Sequence, residues 1–162
     1  KFLVLLDRLK EQTLPANRII LINTEKSYFD QFAAETGFWE KYENVLVKHV
    51  TKAEFDHGRT RNYGVSLSES PYFVMMTDDA YPADRHLLKE LLAPFEDPKV
   101  GMSYARQLPN EKCRIIEQYT RSFNYPDQPC CKSAADLKKM GIKAFFASDV
   151  CAAYKREIFE EL

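Results

Sequence analysis

The stretch from residue 72 to residue 82, YFVMMTDDAYP, decides the predicted fold. Its first five residues are apolar and follow Pro71, which predicts a short buried strand. Asp78 and Asp79 come directly after this strand, and Tyr81-Pro82 then breaks the chain before a helical pattern. In an open α/β sheet, ligands bind beyond the carboxyl ends of the strands. We therefore expect these two carboxylates at a ligand-binding edge.

Strand-like and helix-like patterns alternate through the rest of the chain. This alternation predicts an α/β fold with a mainly parallel central sheet and helices on both faces. Right-handed crossovers would bring the loops at 23–26, 51–61 and 77–82 to one edge of the sheet. The segment from Pro109 to Gly141 is less regular and is predicted to be a long loop with one or two helices. Predicted strands are 18–23, 45–50, 72–76 and 100–105, and predicted helices are 2–9, 28–39, a segment that ends near 70, and 87–95.

Composition limits the class of protein. The chain has 162 residues, of which 45% are hydrophobic and 29% charged, and this suits one domain over residues 1–162. The net charge of −1 gives no reason to expect nucleic acid or an anionic membrane as the main partner. The apolar run at 2–6 is far too short to span a membrane. The four cysteines lack Cys-x-x-Cys spacing, which argues against zinc and favours free thiols in the cytoplasm.

Both ends of the chain are abrupt. A helical pattern comes first, although a βαβ fold normally begins with a strand, and the pattern at 158–162 is helical without a cap. We expect the sequence to be a fragment of a longer protein, truncated at both ends of a single domain.

The adjacent carboxylates of Asp78 and Asp79 allow two interpretations. Asp is common in turns, so the pair could simply cap the turn that follows the strand. Two neighbouring carboxylates also repel each other, and a cation relieves that repulsion. Mg²⁺ commonly takes one or two carboxylates together with substrate phosphates, so the pair also suits a metal–diphosphate site.

A second informative stretch is FDHGRTRNYG at residues 55–64. Asp56 is a candidate helix cap, and Gly58 would allow a ligand to approach the backbone closely. Backbone N–H groups at a helix start, with Arg59 and Arg61 beside them, suit an anion. A capped helix with two solvated arginines explains the same pattern. Among the three histidines, His57 is the best placed to touch a ligand.

These two stretches, in this order, resemble an inverting family-2 glycosyltransferase, and the rhamnosyltransferase branch in particular. The similarity continues through further motifs and covers nearly the whole chain. They are APFEDPKV at 93–100, ARQLP at 105–109, FNYP at 123–126 and SDVCAAYKRE at 148–157.

The resemblance implies a glycosyltransferase-A fold and a set of donor-binding residues. Asp79 would match the metal-binding acid of the Asp-x-Asp-like motif, and Asp78 would lie near the metal or the donor ribose. Arg61 and Asn62 fall in the family's Arg-Asn motif beside the nucleotide. Where the family usually has an acid that contacts the base, this chain has Asn23, with Glu25 two residues later.

The acceptor side and the general base are less well marked. Arg106 and Gln107 follow a predicted strand and could contact donor or acceptor, or lie at the surface. Asp149 falls in the segment that lines the acceptor side in the family, and it could equally be a structural cap. The Glu-Asp region that usually supplies the general base would follow Leu162, so no base is named here.

The implied reaction is a single displacement at the anomeric carbon of a nucleotide-diphospho-sugar, assisted by Mg²⁺ or Mn²⁺. The branch suggests deoxythymidine-diphosphate-rhamnose as donor and a saccharide or lipid-linked acceptor in cell-surface polysaccharide synthesis. Such an acceptor would place a cytoplasmic enzyme at the inner face of the membrane. Two rivals remain: a non-catalytic nucleotide-sugar-binding or scaffolding fragment of this fold, and a nucleotidyltransferase on a similar sheet.

Overall fold

A computed structural model describes residues 1–109 and 113–161. It contains a parallel pair of strands and a second sheet of three strands, with helices packed around both. The helices are α1 Phe2–Lys10, α2 Lys26–Thr36, α3 Phe38–Lys41, α4 His57–Ser66, α5 Leu87–Leu92, α6 Ile115–Asn124, α7 Leu137–Met140 and α8 Arg156–Glu160. The strands are β1 Ile19–Thr24, β2 Val45–Val50, β3 Tyr72–Met76, β4 Met102–Tyr104 and β5 Cys151–Lys155. Short 3-10 turns lie at Ala93–Glu96, Ala134–Asp136 and Gly141–Phe145.

The parallel pair β1–β2 forms the first packing unit. Ile19 pairs with Val45 and Thr24 with Val50, so the two carboxyl ends meet at one edge. The aromatic and aliphatic residues of α1, α2 and α3 cover this pair. Their buried cluster is Leu6, Phe29, Ala33, Phe38, Tyr42 and Val45.

Helix α2 is followed by Gly37, which adopts φ +60°. A left-handed residue at this position lets the chain turn directly into α3, and glycine adopts it without strain.

The second sheet has the order β3-β5-β4, and β5 runs antiparallel to both neighbours. The pattern of the sequence did not predict β5. Its core residues Ala152 and Ala153 are fully buried but small, so they lack the β-branched and aromatic signature of a strand. Small side chains suit the central strand of this sheet. The larger rings of Phe73 and Tyr154 fill the space on one face of it and stack with centroids 5.5 Å apart.

Most predicted elements are present, with some shifts at their ends. Helix α4 begins at His57 and ends at Ser66, earlier than the predicted end near residue 70. The segment predicted as a long loop with one or two helices contains α6, α7 and two 3-10 turns; its residues 110–112 lie outside the described part.

Helix α1 holds the loop that follows β3. Arg8 donates from Nη1 to the carbonyl of Pro82 at 2.7 Å. Gln12, only 6% exposed, donates from Nε2 to the carbonyl of Asp84 at 2.8 Å and accepts from the N–H of Leu88 at 3.1 Å. A residue near the start of the chain therefore orders the chain beyond Asp78 and Asp79.

Candidate functional site

One edge of the second sheet gathers polar segments from three strands. Met76 pairs with Cys151, so β3 ends where β5 begins, and the carboxyl end of β4 lies on the other side of β5. The backbone continues this pairing, since the N–H of Thr77 donates to Val150 at 3.1 Å and that of Ala105 to Cys151 at 2.9 Å. The chain segments that carry Asp78-Asp79, Arg106-Gln107 and Asp149 consequently share this edge.

Asp78 and Asp79 occupy a tight turn at the end of β3, closed by the N–H of Ala80 donating to the carbonyl of Thr77 at 3.2 Å. Both aspartates are exposed. Beside them, Thr77 has a buried hydroxyl oxygen with no hydrogen-bond partner among the described residues. An unpartnered buried hydroxyl is costly, so its position next to two exposed carboxylates marks this turn as unusual.

Arg61 and Asp149 connect α4 to the same edge. The Arg61 guanidinium lies 3.7 Å from the Asp149 carboxylate, and both side chains are partly exposed. Tyr154 on β5 donates its hydroxyl hydrogen to the other oxygen of Asp149. Burial, reinforced by the Asp149 hydrogen bond, raises the pKa of Tyr154 far above its ordinary value, so the tyrosine keeps its proton. Tyr154 therefore orients the carboxylate that faces Arg61.

The start of α4 is capped as the sequence predicts. Asp56 accepts the N–H of Arg59 at 2.8 Å, and this bond holds the pKa of the Asp56 carboxyl below its ordinary value. His57 is exposed and packs its ring edge-on against Phe55, with centroids 5.0 Å apart. A Cβ at Gly58 would meet only ordinary contacts, so the fold itself does not require glycine there. Asn62 is exposed one residue after Arg61.

A second polar group lies at the carboxyl ends of β1 and β2. Asn23 and His49 face each other in the strand register, with the Asn23 Nδ2 atom 3.1 Å from the His49 Nδ1 atom. Glu25 accepts the N–H of Lys52 at 2.9 Å and adopts a φ of +68°, a region unfavourable for any residue with a side chain. Strained backbone of this kind often accompanies functional sites.

Gln107 is part of an internal network rather than a free surface group. Its Nε2 atom donates to Tyr125 at 2.5 Å and to Ser148 at 2.9 Å, while its Oε1 atom accepts from Arg121 at 2.5 Å. These residues line a groove of about 350 Å³ between α6 and the segment 146–150 that precedes β5. Arg106, one residue earlier, is exposed.

The structure thus brings Asp149 and Arg61 into contact and places Asp78, Asp79, Arg106 and Gln107 along the same sheet edge. Asn23 lies on β1 and Glu25 just after it, while His57 and Gly58 form the start of α4. Within residues 1–109 and 113–161, no three acidic, histidine or cysteine side chains are grouped closely enough to bind a metal by themselves. The roles of all these residues toward donor, acceptor and metal stay predictions.

The sequence analysis missed the partners that position two of its candidates. Tyr154 orients Asp149, while Arg121, Tyr125 and Ser148 orient Gln107. Their membership of the FNYP and SDVCAAYKRE motifs was the available signal for Tyr125, Ser148 and Tyr154. Arg121 had none.

The chain matches one protein-family model over nearly its whole length. This family model, described as "Glycosyl transferase family 2", matches residues 2–162. The chain belongs to glycosyl transferase family 2. The α/β fold, the predicted glycosyltransferase-A type and the resemblance to rhamnosyltransferases are confirmed by this membership and by the relatives below.

Two relatives of this family-2 glycosyltransferase chain are named for their activity. This chain is 33% identical over 159 residues to the O-antigen chain rhamnosyltransferase RfbN of Salmonella typhimurium. The match covers 97% of this chain and 49% of RfbN. The chain is 34% identical over 154 residues to the O-antigen chain rhamnosyltransferase WbaN of Salmonella anatum, covering 94% of this chain and 47% of WbaN. The chain thus spans about half the length of these curated relatives.

No solved structure gives a significant match to the chain. Among the described residues, none of the helices combines the length and apolar character needed to cross a membrane.

Proposed function

We propose that this family-2 chain binds a nucleotide-diphospho-sugar and takes part in inverting transfer of the sugar to an acceptor hydroxyl in cell-surface polysaccharide synthesis. The names of its relatives favour rhamnose as the sugar. The observation that carries the proposal is the family match over residues 2–162 together with two exposed carboxylates at the sheet edge. A saccharide or lipid-linked acceptor and a cytoplasmic location, at the inner face of the membrane, belong to the same proposal.

The donor side of the proposal rests on Asp78 and Asp79. Their oxygen donors fit Mg²⁺ or Mn²⁺, which can be bound by one or two carboxylates while substrate phosphates and water complete the shell. Bound there, the metal would neutralise the charge that develops on the departing diphosphate.

Arg61 supplies positive charge at the same edge. Its pairing with Asp149 keeps the guanidinium near the start of β5 rather than free in solvent. An arginine so placed can hydrogen-bond phosphate oxygens in a planar, bidentate way. Asn62 follows it on α4, and Asn23 with Glu25 offers amide and carboxylate groups for the base at the β1–β2 edge.

The test is binding of deoxythymidine diphosphate, with and without Mn²⁺, followed by thermal shift and calorimetry. The variant is Asp79→Asn and the matched control is Asp30→Asn, since Asp30 is an exposed acid on α2 paired with Lys26. We expect metal-dependent binding to fall at least about tenfold in Asp79→Asn and to stay unchanged in the control. A saturating ligand should stabilise the unaltered chain by about 2.7 kcal/mol at a hundredfold excess over Kd. Undiminished, metal-dependent binding by Asp79→Asn would contradict the assignment.

Turnover separates the enzyme from the non-catalytic alternative. Incubation of the full-length protein with a nucleotide-diphospho-sugar and a saccharide acceptor should release nucleoside diphosphate in an acceptor-dependent way. Binding of the nucleotide without such release would support the non-catalytic nucleotide-sugar-binding fragment instead.

A further inference from the structure

Helix α6 presents two faces of opposite character. Glu117, Thr120, Arg121 and Asn124 line the groove beside Gln107. Ile115, Ile116, Tyr119 and Phe123 fall within an arc of about 100° on another side of the helix. The polar face therefore lines the groove, and the apolar face points away from it.

The apolar face of α6 is open to solvent. Ile115 is 83% exposed, Ile116 78%, Tyr119 69% and Phe123 55%. The rings of Tyr119 and Phe123 stack with centroids 6.2 Å apart, so the face is a continuous surface rather than scattered side chains. An exposed apolar surface of this kind usually marks a contact with a partner or a membrane.

The 3-10 turn Gly141–Phe145 extends this surface. Lys143 places its Nζ atom 3.2 Å from the centroid of the Phe123 ring, which joins the turn to the end of α6. Ile142 is 84% exposed and Phe145 is exposed as well. Helix α7 packs against the same turn and carries Lys138 and Lys139, both exposed.

The charge of this region differs from that of the whole chain. Residues 113–146 contain six basic and three acidic side chains, whereas the complete chain has a net charge of −1. Two of the three acids are engaged, since Glu117 pairs with Arg121 on the groove side and Asp136 accepts hydrogen bonds from Ser133. The remaining acid, Asp127, is exposed. Arg114, Lys138, Lys139 and Lys143 are exposed basic residues of the helix start, α7 and the turn.

We propose that the apolar face of α6, with Ile142 and these basic residues, docks onto an anionic phospholipid surface. Amphipathic helices bind membranes by burying isoleucine and aromatic side chains at the headgroup boundary while lysine and arginine contact anionic lipids. The local excess of positive charge favours this occupant over a second copy of the chain, whose corresponding face would repel it. Docking would lay α6 along the membrane surface, with its groove side turned away from the lipid.

The experiment is co-sedimentation of the 162-residue chain with vesicles of phosphatidylcholine alone and with about one third phosphatidylglycerol. The apolar variant is Ile116→Gln/Tyr119→Gln, and its control is Tyr28→Gln, whose ring is 75% exposed on α2. The charge variant is Lys138→Gln/Lys139→Gln, and its control is Lys89→Gln/Lys99→Gln, two exposed lysines elsewhere. Because every position is exposed, circular dichroism should show unchanged folding.

We expect binding only to the vesicles that contain phosphatidylglycerol, reduced at least about tenfold by the apolar variant and clearly reduced by the charge variant and by added salt. The controls should bind like the unaltered chain. Equal binding by Ile116→Gln/Tyr119→Gln would overturn the proposal, as would no binding by the unaltered chain. Chromatography that shows a dimer abolished by the apolar variant, without vesicle binding, would identify a second copy as the occupant and also overturn it. These outcomes do not depend on whether the chain or its variants bind a nucleotide.

Discussion

Arg61 and Asp149 lie 3.7 Å apart, although 88 positions separate them along the chain. Arg61 belongs to α4, whose Gly64 packs over Ile22 of β1, and Asp149 immediately precedes Val150, which pairs with Thr77. This contact therefore links the β1–β2 unit to the edge that carries Asp78 and Asp79. Both partners are partly exposed, so the pair itself contributes about 1 kcal/mol or less to stability, and its importance is positional.

Tyr154→Phe should loosen Asp149 without disturbing the core. The change removes the hydroxyl that donates to Asp149 and keeps the ring that stacks on Phe73. We expect a loss of about 1 kcal/mol in the free energy of unfolding, measured by urea denaturation. Tyr28→Phe removes an exposed hydroxyl and should change nothing. Equal effects of the two substitutions would show that Tyr154 does not hold Asp149.

Gln12→Met should destabilise the chain through the loop after β3. Methionine keeps the length of the side chain but leaves the carbonyl of Asp84 and the N–H of Leu88 without their partner. We expect a loss of about 1–3 kcal/mol, the cost of leaving buried polar groups unpaired. The control is Gln31→Met on the exposed face of α2, where Gln31 bonds Glu35 and the expected change is within about 0.5 kcal/mol. A stable Gln12→Met variant would mean that water replaces the side chain.

Ser148→Ala tests the network around Gln107. Ser148 is buried and accepts from both Gln107 and Tyr125, so its removal leaves the Tyr125 hydroxyl and one N–H of the Gln107 amide without an acceptor. The expected loss in the free energy of unfolding is about 1–3 kcal/mol. Ser66→Ala, which removes an exposed hydroxyl bonded to the Tyr63 carbonyl, should cost much less. Similar losses in both variants would show that the network adds no stability of its own.

The stability of the chain should fall in alkaline solution because of Tyr42. Burial, with a smaller contribution from the hydrogen bond to Asp7, raises the pKa of Tyr42 to about 12 from 10.0. The folded state holds this proton more tightly than the unfolded state, so its stabilising effect is complete below pH 10 and is lost as the pH rises toward 12. Tyr42→Phe should show a shallower decline across this range in urea denaturation, and Tyr28→Phe should follow the unaltered chain. Parallel declines in all three proteins would contradict the prediction.

Local patterns were sufficient for the elements with strong signals. Tyr72–Met76 and Val45–Val50 are strands of the kind that apolar and β-branched runs predict, and Asp56 caps α4 at the expected place. Strand β5 was not predicted because Ala152 and Ala153 have weak strand propensity. Their strand conformation comes from pairing with β3 and β4, residues far away in the sequence.

The candidate site was predictable as residue types but not as an arrangement. Asp78 and Asp79 follow a strand, which is a local fact, and their exposure agrees with a role at an edge. The contact of Arg61 with Asp149 could not be predicted, because it requires β5 to lie beside β3 in an antiparallel direction. Gln107 was expected to contact a ligand or solvent, and its engagement with Arg121, Tyr125 and Ser148 emerged only from the packing of α6.

By itself the sequence determined the class of fold, the family and the turn that carries two acids, because hydrophobic periodicity, turn chemistry and ordered motifs are properties of short segments. The tertiary structure alone decided which distant groups meet: a tyrosine from β5 behind Asp149, and a glutamine from α1 behind the loop after β3. It also decided which face of α6 remains exposed. The physical reason is that hydrogen bonds and burial depend on separation in space, which chain order does not specify.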